Sequence, residues 1–303
     1  MNEPRERYTT PGAFRSALND RLGAAAMNGP WTLHELQRQF AYDRLLLRLY
    51  AIDDGWVLKG ATALLARRLG VRATTDIDLF RRATSVEAER EVRRAAMVDL
   101  GDWFTFDIGS ASAVADGIQG IRLPVTAALG TTTWSTFHLD IVGSGVEMTG
   151  SVESVQELTA NMTTIKASTP FLVYPLVDHI ADKIAALYQR FGPSKRPSTR
   201  FKDLVDLVAI VNRVTVVALD QERALISEFN RRNLEIPESF TVPDRDLWLR
   251  GFSREAGRAH LGYALDLESA IRIVGLFVNP LFGSTAEGVW HPSQLRWKPA
   301  ESH

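Results

Sequence analysis

The chain has 303 residues, with 35 Lys+Arg against 36 Asp+Glu, a formal net charge of −1, 45% hydrophobic and 23% charged residues, and no Cys. That composition is ordinary for a globular protein of about two domains, and its neutral balance excludes a protein that coats nucleic acid through overall positive charge. No apolar run reaches the ~18 residues of a membrane helix, and the missing Cys excludes a disulfide frame, a thiol nucleophile and a Cys-ligated zinc.

The N-terminus, MNEPRERYTTPGAF, carries charge but no apolar h-region, so no secretory signal is expected and the expected location is the cytoplasm. The first fifty residues read as helical. Leu36, Phe40, Leu45, Leu46 and Leu49 mark an apolar face, and Thr32 with Glu35 makes a capping-box pattern. A short buried strand over Trp56, Val57 and Leu58 ends at Lys59-Gly60. A helix over 63–69 closed by Gly70, a strand over 74–80 and a helix over 85–100 with Ser85 as N-cap are expected next. Segments 103–109, 120–129 and 134–142 are rich in β-branched and aromatic residues and read as three further strands. After Pro175 the pattern turns helical, with candidates at 176–191, 200–213, 219–232, 245–260 and 266–278. The tail from Pro280 reads as loop or a packed extension. The expected organisation is a mixed α/β domain over 1–165, including the N-terminal helices, and an all-helical domain over 166–303.

The chemistry concentrates in Thr74-Thr75-Asp76-Ile77-Asp78-Leu79-Phe80. Strand alternation points Asp76 and Asp78 to one face, with Cα atoms ~6.6 Å apart at a rise of ~3.3 Å per residue. Two carboxylates ~4 Å apart repel by roughly 4 kcal/mol at an effective dielectric of about 20. Such a pair either lines a solvated strand face or holds a cation, for which Mg²⁺ with its preference for oxygen and water is the natural candidate. Asp140, a lone acid in the apolar run Phe137-His138-Leu139-Asp140-Ile141-Val142, is costly if buried alone and is the expected third ligand. Lys59-Gly60-Ala61-Thr62 lies between a strand and a helix, where Gly lets backbone approach a phosphate and a helix N-terminus favours an anion. Together these residues describe attack on a nucleoside triphosphate with metal ions at the attacking and leaving oxygens.

The segment Val57–Leu64 followed by Arg72–Leu79 resembles the first motif of the polymerase-β-like nucleotidyltransferases, in the branch of the AbiEii/MenT toxins of bacterial toxin–antitoxin and phage-defence systems. Ala181-Asp182-Lys183-Ile184-Ala185-Ala186-Leu187 resembles the family's basic helix. Arg200-Phe201-Lys202-Asp203-Leu204-Val205-Asp206-Leu207 resembles its Lys-Asp-x-x-Asp-Leu helix. The departures are Ala61, where relatives often have a second Gly, and Thr62, where many have Ser. The resemblance implies an α+β fold: a polymerase-β-like nucleotidyltransferase domain with a mixed sheet, then an all-helical C-terminal domain that completes the active site. It implies metal binding by Asp76 and Asp78, phosphate contact by Lys183, and an orienting or activating role for Asp206, with Asp203 as the other possibility. Mg²⁺ and an NTP are implied, as are an RNA acceptor, foremost the tRNA 3′ end, a block of translation, and a cognate antitoxin. Thr74 and Thr75 are then candidate sites of regulatory phosphorylation, because a dianion beside the carboxylates would repel triphosphate.

On helix 200–213, Leu204, Leu207, Val208 and Val211 form the core stripe. Asp203 and Asp206 share a neighbouring face, either as site residues or as a solvated pair with Lys202 as a surface partner of Asp206. Lys183 reads as either a site cation or a snorkelling lysine. Between Arg190 and Lys202 lie Lys195, Arg196 and Arg200 with Gly192, Pro193 and Pro197 and no acid. This is an expected flexible loop that either grips triphosphate or RNA or is simply solvated. Arg67, Arg68 and Arg72 are expected to extend the patch. His138 and His179 read as structural. No G-x-S-x-G elbow or Walker motif is present. The alternatives are a nucleotidyltransferase acting on a protein or small-molecule hydroxyl, and a non-catalytic binding module of the same fold.

Overall fold

The computed structural model describes residues 4–114, 120–143, 145–159 and 170–299. They fall into two units. The first comprises Met1–Arg68, Ala73–Val146 and Val152–Val173, the second Leu69–Arg72, Glu147–Ser151 and Tyr174–His303. The expected boundary at 165/166 lies outside the described residues.

The first unit opens on α1 (Pro4–Arg7), α2 (Pro11–Asn28) and α3 (Leu33–Tyr50). In α2, Thr10 caps the N-terminus, Pro11 occupies the first turn, where its missing N–H costs nothing, and Phe14, Leu18 and Leu22 face the core at helical spacing. The Thr32–Glu35 capping box on α3 forms as expected. Then follow β1 (Trp56–Lys59), α4 (Gly60–Ala66), β2 (Asp76–Arg81), α5 (Ser85–Ala96), β3 (Phe104–Ile108), β4 (Ser112–Ala113), β5 (Gly120–Leu129), β6 (Thr132–Val142), β7 (Glu153–Val155) and β8 (Phe171–Val173). Helix α4 starts earlier than the pattern predicted and stops before Gly70, because Arg68 takes a φ of 61° and ends it. The cap of α5 is Thr84, not Ser85, since Thr84 and Glu87 form a second capping box.

The strands form one mixed sheet in the order β3-β5-β6-β2-β1-β8-β7, with β4 paired to β5. β2 is parallel to β6 and antiparallel to β1, and β5 is antiparallel to β6. One face carries Leu58, Ile77, Leu79, Leu123, Leu139 and Ile141, all in the apolar core with residues of α2, α3 and α5. Strand alternation then turns the intervening residues of β2, and of β6 from Ser135 onward beyond the bulge opposite Ala127 and Ala128, to the other face. A buried ion cluster ties α3 to the turn before β3. Arg44 Nε and Arg48 Nη2 donate to Asp102 at 2.6 and 2.7 Å, with Arg48 and Asp102 fully buried.

In the second unit, α6 (Leu176–Tyr188), α7 (Phe201–Val211), α8 (Ala218–Arg231), α9 (Arg245–Arg258) and α10 (Leu267–Phe282) are followed by a hairpin of β9 (Val289–His291) and β10 (Arg296–Lys298). In α7 every residue but Lys202 is buried, the mark of a helix covered all round. The tail is a packed extension, as one of the two expectations had it. Trp290 is fully buried and its Nε1 donates to the Val211 carbonyl at 2.7 Å. No helix of the described residues is long and apolar enough to cross a membrane.

Candidate active site

The polar face of the sheet gathers charge in one row. Cross-strand register aligns Lys59 on β1 with Asp78 on β2, Asp78 with Asp140 on β6, and Asp140 with Arg122 on β5. Directly opposed residues share a face, so the row reads cation, carboxylate, carboxylate, cation. In the neighbouring row Asp76 stands opposite His138. Asp76 and Asp78 therefore share one face of β2, beside a third acid on β6.

Gly60 is the turn on which this arrangement depends. Its φ is +53°, and a Cβ there would overlap the Asp78 carboxylate and lie 2.9 Å from Asp78 Cβ. The bare Cα is thus a cradle into which Asp78 folds. Ala61 keeps a negative φ, so its Cβ is harmless. Thr62 is fully buried and its Oγ1 donates to the Asp76 carbonyl at 3.0 Å, so its hydroxyl ties α4 to β2. Thr74 and Thr75 lie just before β2 rather than in it. Thr74 Oγ1 donates to the Asp76 carbonyl at 3.1 Å, and the exposed Thr75 donates to Asp76 Oδ2 at 3.3 Å. The Thr74 carbonyl in turn accepts from Tyr42 Oη at 3.1 Å. Burial pushes the Tyr42 hydroxyl well up, and the negative fields of Asp76 and Asp78 add to it.

Two residues that the sequence did not assign to the site enter here. His138, expected to be structural, is half-exposed on the polar face with Nδ1 3.2 Å from Asp76 Oδ1. Arg122 donates to both oxygens of Asp140, Nε to Oδ1 at 2.7 Å and Nη2 to Oδ2. Alternation within 134–142 already places 138 and 140 on one face, but only sheet order shows that they neighbour Asp76 and Asp78. Both oxygens of Asp140 accept from Arg122, and among the described residues no group of three His, Cys, Asp or Glu side chains is placed to hold a metal. The donor set that fits a cation is the Asp76–Asp78 pair. Two hard carboxylate oxygens on one face, one of them in a cradle that a Cβ would fill, suit an ion such as Mg²⁺ that completes its shell with water and phosphate.

In the second unit a chain of alternating charges runs Arg72–Asp206–Lys183–Asp203–Arg200. Arg72 grips both Asp206 oxygens at 3.0 and 2.8 Å. Lys183 Nζ reaches Asp206 Oδ2 at 2.8 Å and Asp203 Oδ1 at 2.7 Å, and Arg200 Nε donates to Asp203 Oδ2. Lys183 is 3% exposed, neither snorkelling nor solvated, and Asp206 does not take Lys202 as a surface partner. Burial alone would raise both carboxyls, but the Lys183 charge with those of Arg200 and Arg72 outweighs it and holds them below the usual range.

The expected basic patch is dispersed. Arg67 pairs with Glu153 at 2.7 Å, Arg68 donates to the Leu158 and Glu157 carbonyls, and Arg72 belongs to the ion chain. The 190–202 loop is closed by a Phe191–Arg196 bridge and anchored where the Ser198 carbonyl accepts from Trp248 Nε1 at 3.0 Å. Lys195 and Arg196 remain exposed.

A Gly60→Ala variant is expected to be destabilised by about 1–3 kcal/mol, from left-handed backbone and the displaced Asp78, and to lose function beyond that loss. Thermal unfolding together with Mn²⁺ binding checks this, and a variant matching wild type in both contradicts the cradle.

A family model described as the nucleotidyl transferase AbiEii toxin of a type IV toxin–antitoxin system matches residues 44–267. Two solved structures share the fold. The nucleotidyltransferase toxin MenT4 of Mycobacterium tuberculosis is 17% identical at a TM-score of 0.53, over 92% of this chain and 99% of that one. JHP933 of Helicobacter pylori is 17% identical at 0.50, over 83% and 93%. No curated protein matches by sequence.

Proposed function

Since the chain belongs to the AbiEii nucleotidyltransferase toxin family, we propose that it transfers a nucleotide from an NTP to RNA, foremost the 3′ end of tRNA, and so blocks translation until a cognate antitoxin intervenes. The observation that carries the reading is the Asp76–Asp78 pair on one face of β2, with Asp78 seated against Gly60. In the reaction an acceptor hydroxyl oxygen bonds the α-phosphorus, the bond from that phosphorus to the β-bridging oxygen breaks, pyrophosphate leaves and the hydroxyl proton passes to solvent. Asp76 and Asp78 would hold Mg²⁺, whose charge offsets that of the triphosphate and leaving pyrophosphate.

Other residues take parts set by their surroundings. Thr62 supports the reaction by fixing the Asp76 backbone. In the helical unit Lys183 works through Asp203 and Asp206 rather than on phosphate directly, since its ammonium is committed to both. Arg200, with its side chain 38% exposed, is the most exposed cation of that chain. Thr75 is the better placed of the two regulatory candidates, because its hydroxyl already touches Asp76 and is exposed. Intact mass after co-expression with the antitoxin should show one added phosphate there, and an inactive but unmodified toxin contradicts that route.

The acceptor is tested by incubating the protein with Mg²⁺, each α-³²P-labelled NTP and total bacterial tRNA. Label on tRNA with one preferred NTP is the expected result, and label only on protein or small molecules overturns the RNA assignment.

A further inference from the structure

The polar face carries a cation that the metal pair does not use. Arg122 and Asp140 form a bidentate pair, whose fork fixes the plane of the guanidinium. The pair has a dry end and a wet end, with side-chain exposures of 12% for Asp140 and 36% for Arg122. Among the described residues, Nη1 of Arg122 has no hydrogen-bond partner. Asp140's hydrogen bond first, then the fields of Asp140, Asp76 and Asp78, hold the guanidinium charged more firmly than usual.

We propose that Arg122 is a phosphate-binding residue of the nucleotidyl-transfer site and that Asp140 is its positioning residue rather than a third metal ligand. The inference rests on Asp76 and Asp78 being the metal pair. To ligate a metal, Asp140 would have to use oxygens that already each accept a charge-assisted hydrogen bond, bringing the ion against a guanidinium that cannot lose its proton and repels it. With Asp140 neutralised by Arg122, the remaining Asp76–Asp78 pair carries two negative charges, the complement of one divalent ion. The outward edge of the guanidinium then offers donors to an anion on the same face, two register positions from Asp78 across the sheet. A planar fork with spare N–H groups is the geometry suited to phosphate oxygens.

The test uses the full chain as wild type, R122Q, R122K, D140N and R122Q/D140N. Binding of Mn²⁺ alone is followed by its electron paramagnetic resonance signal, and binding of α,β-methylene NTP analogues with Mn²⁺ by calorimetry. R122Q and the double variant should each weaken analogue binding about tenfold, with R122K between them and wild type. D140N should weaken it less and raise KM more than it lowers kcat, because the guanidinium is loosened rather than lost. The double variant removes both charges together, so no unpaired carboxylate is left, and it should keep Mn²⁺ affinity within about twofold. Loss of Mn²⁺ affinity in the double variant by about tenfold or more would show Asp140 to be a ligand. Wild-type analogue binding in R122Q would remove Arg122 from the phosphate. Either result overturns the inference. A wild-type protein that binds no analogue with Mn²⁺ contradicts the nucleotidyl-transfer reading itself.

Discussion

An Asp78→Asn variant is expected to lose nucleotidyl transfer by roughly a thousandfold, the rate equivalent of several kcal/mol of charge stabilisation at phosphate, while its melting temperature stays level. In its row Asp78 stands between Lys59 on β1 and the Arg122-paired Asp140 on β6, with Asp76 two residues away on the same strand. Neutralising it relieves the repulsion by Asp76 and gives up the attraction of Lys59, two changes that largely offset. Its amide fits the same cradle against Gly60, so the fold is not asked to change. Asp76→Asn should behave alike, with the contact to His138 weakened. Steady-state transfer and thermal unfolding of both variants decide the matter. A variant that keeps transfer while losing stability would make the pair structural.

Replacing Lys183 by Met is expected to cost about 3–5 kcal/mol, because it strips the shared cation from two buried carboxylates, and to lower the melting temperature by about 10 °C. The pH dependence follows from the same contacts. Asp203 and Asp206 have folded pKa values below their ordinary 3.8. Their contribution is therefore present above about pH 4 and is lost as pH falls through the depressed folded values. Lys183 has a folded pKa above its ordinary 10.5, as the Asp203 and Asp206 charges outweigh burial, so its contribution is lost only as pH rises beyond that value. Without Lys183 the two carboxyls should titrate higher, so the stability lost on acidification through their depressed values should shrink and the acid limb become shallower. Adding Asp203→Asn to Lys183→Met removes the repulsion between Asp203 and Asp206 that Lys183 had offset and should recover part of the loss, since Arg200, its side chain 38% exposed, can turn to water. Denaturant unfolding from pH 3 to 8 reads both effects. An unchanged acid limb in Lys183→Met contradicts the ion chain.

What the sequence showed was set by short-range rules. Alternation alone put Asp76 and Asp78 on one face, and Thr32-x-x-Glu35 marked the start of α3. The same pattern at Thr84-x-x-Glu87 was equally visible, and reading Ser85 as the cap overlooked it. Gly60 was recognisable as a turn, but its role as a seat for Asp78 depends on β1 and β2 being neighbours. Sheet order is non-local. β6 lies beside β2 and β5 beside β6, and only that order brings Arg122 and His138 to the carboxylates. The solvated reading of Asp203 and Asp206 and the snorkelling reading of Lys183 failed for a related reason. Helix periodicity marks the richest apolar stripe, whereas α7 is covered on every side, and Asp206 finds Arg72 134 residues away in sequence.

The decisive assay incubates purified protein with Mg²⁺, α-³²P-labelled NTPs and bacterial RNA, and follows both labelled RNA and released pyrophosphate, with Asp76→Asn alongside. Label and pyrophosphate appearing in equal amounts with wild type, and neither with the variant, is the predicted result. Equal transfer by wild type and Asp76→Asn, or none by either with any NTP and any acceptor, would contradict a nucleotidyltransferase built on these two carboxylates.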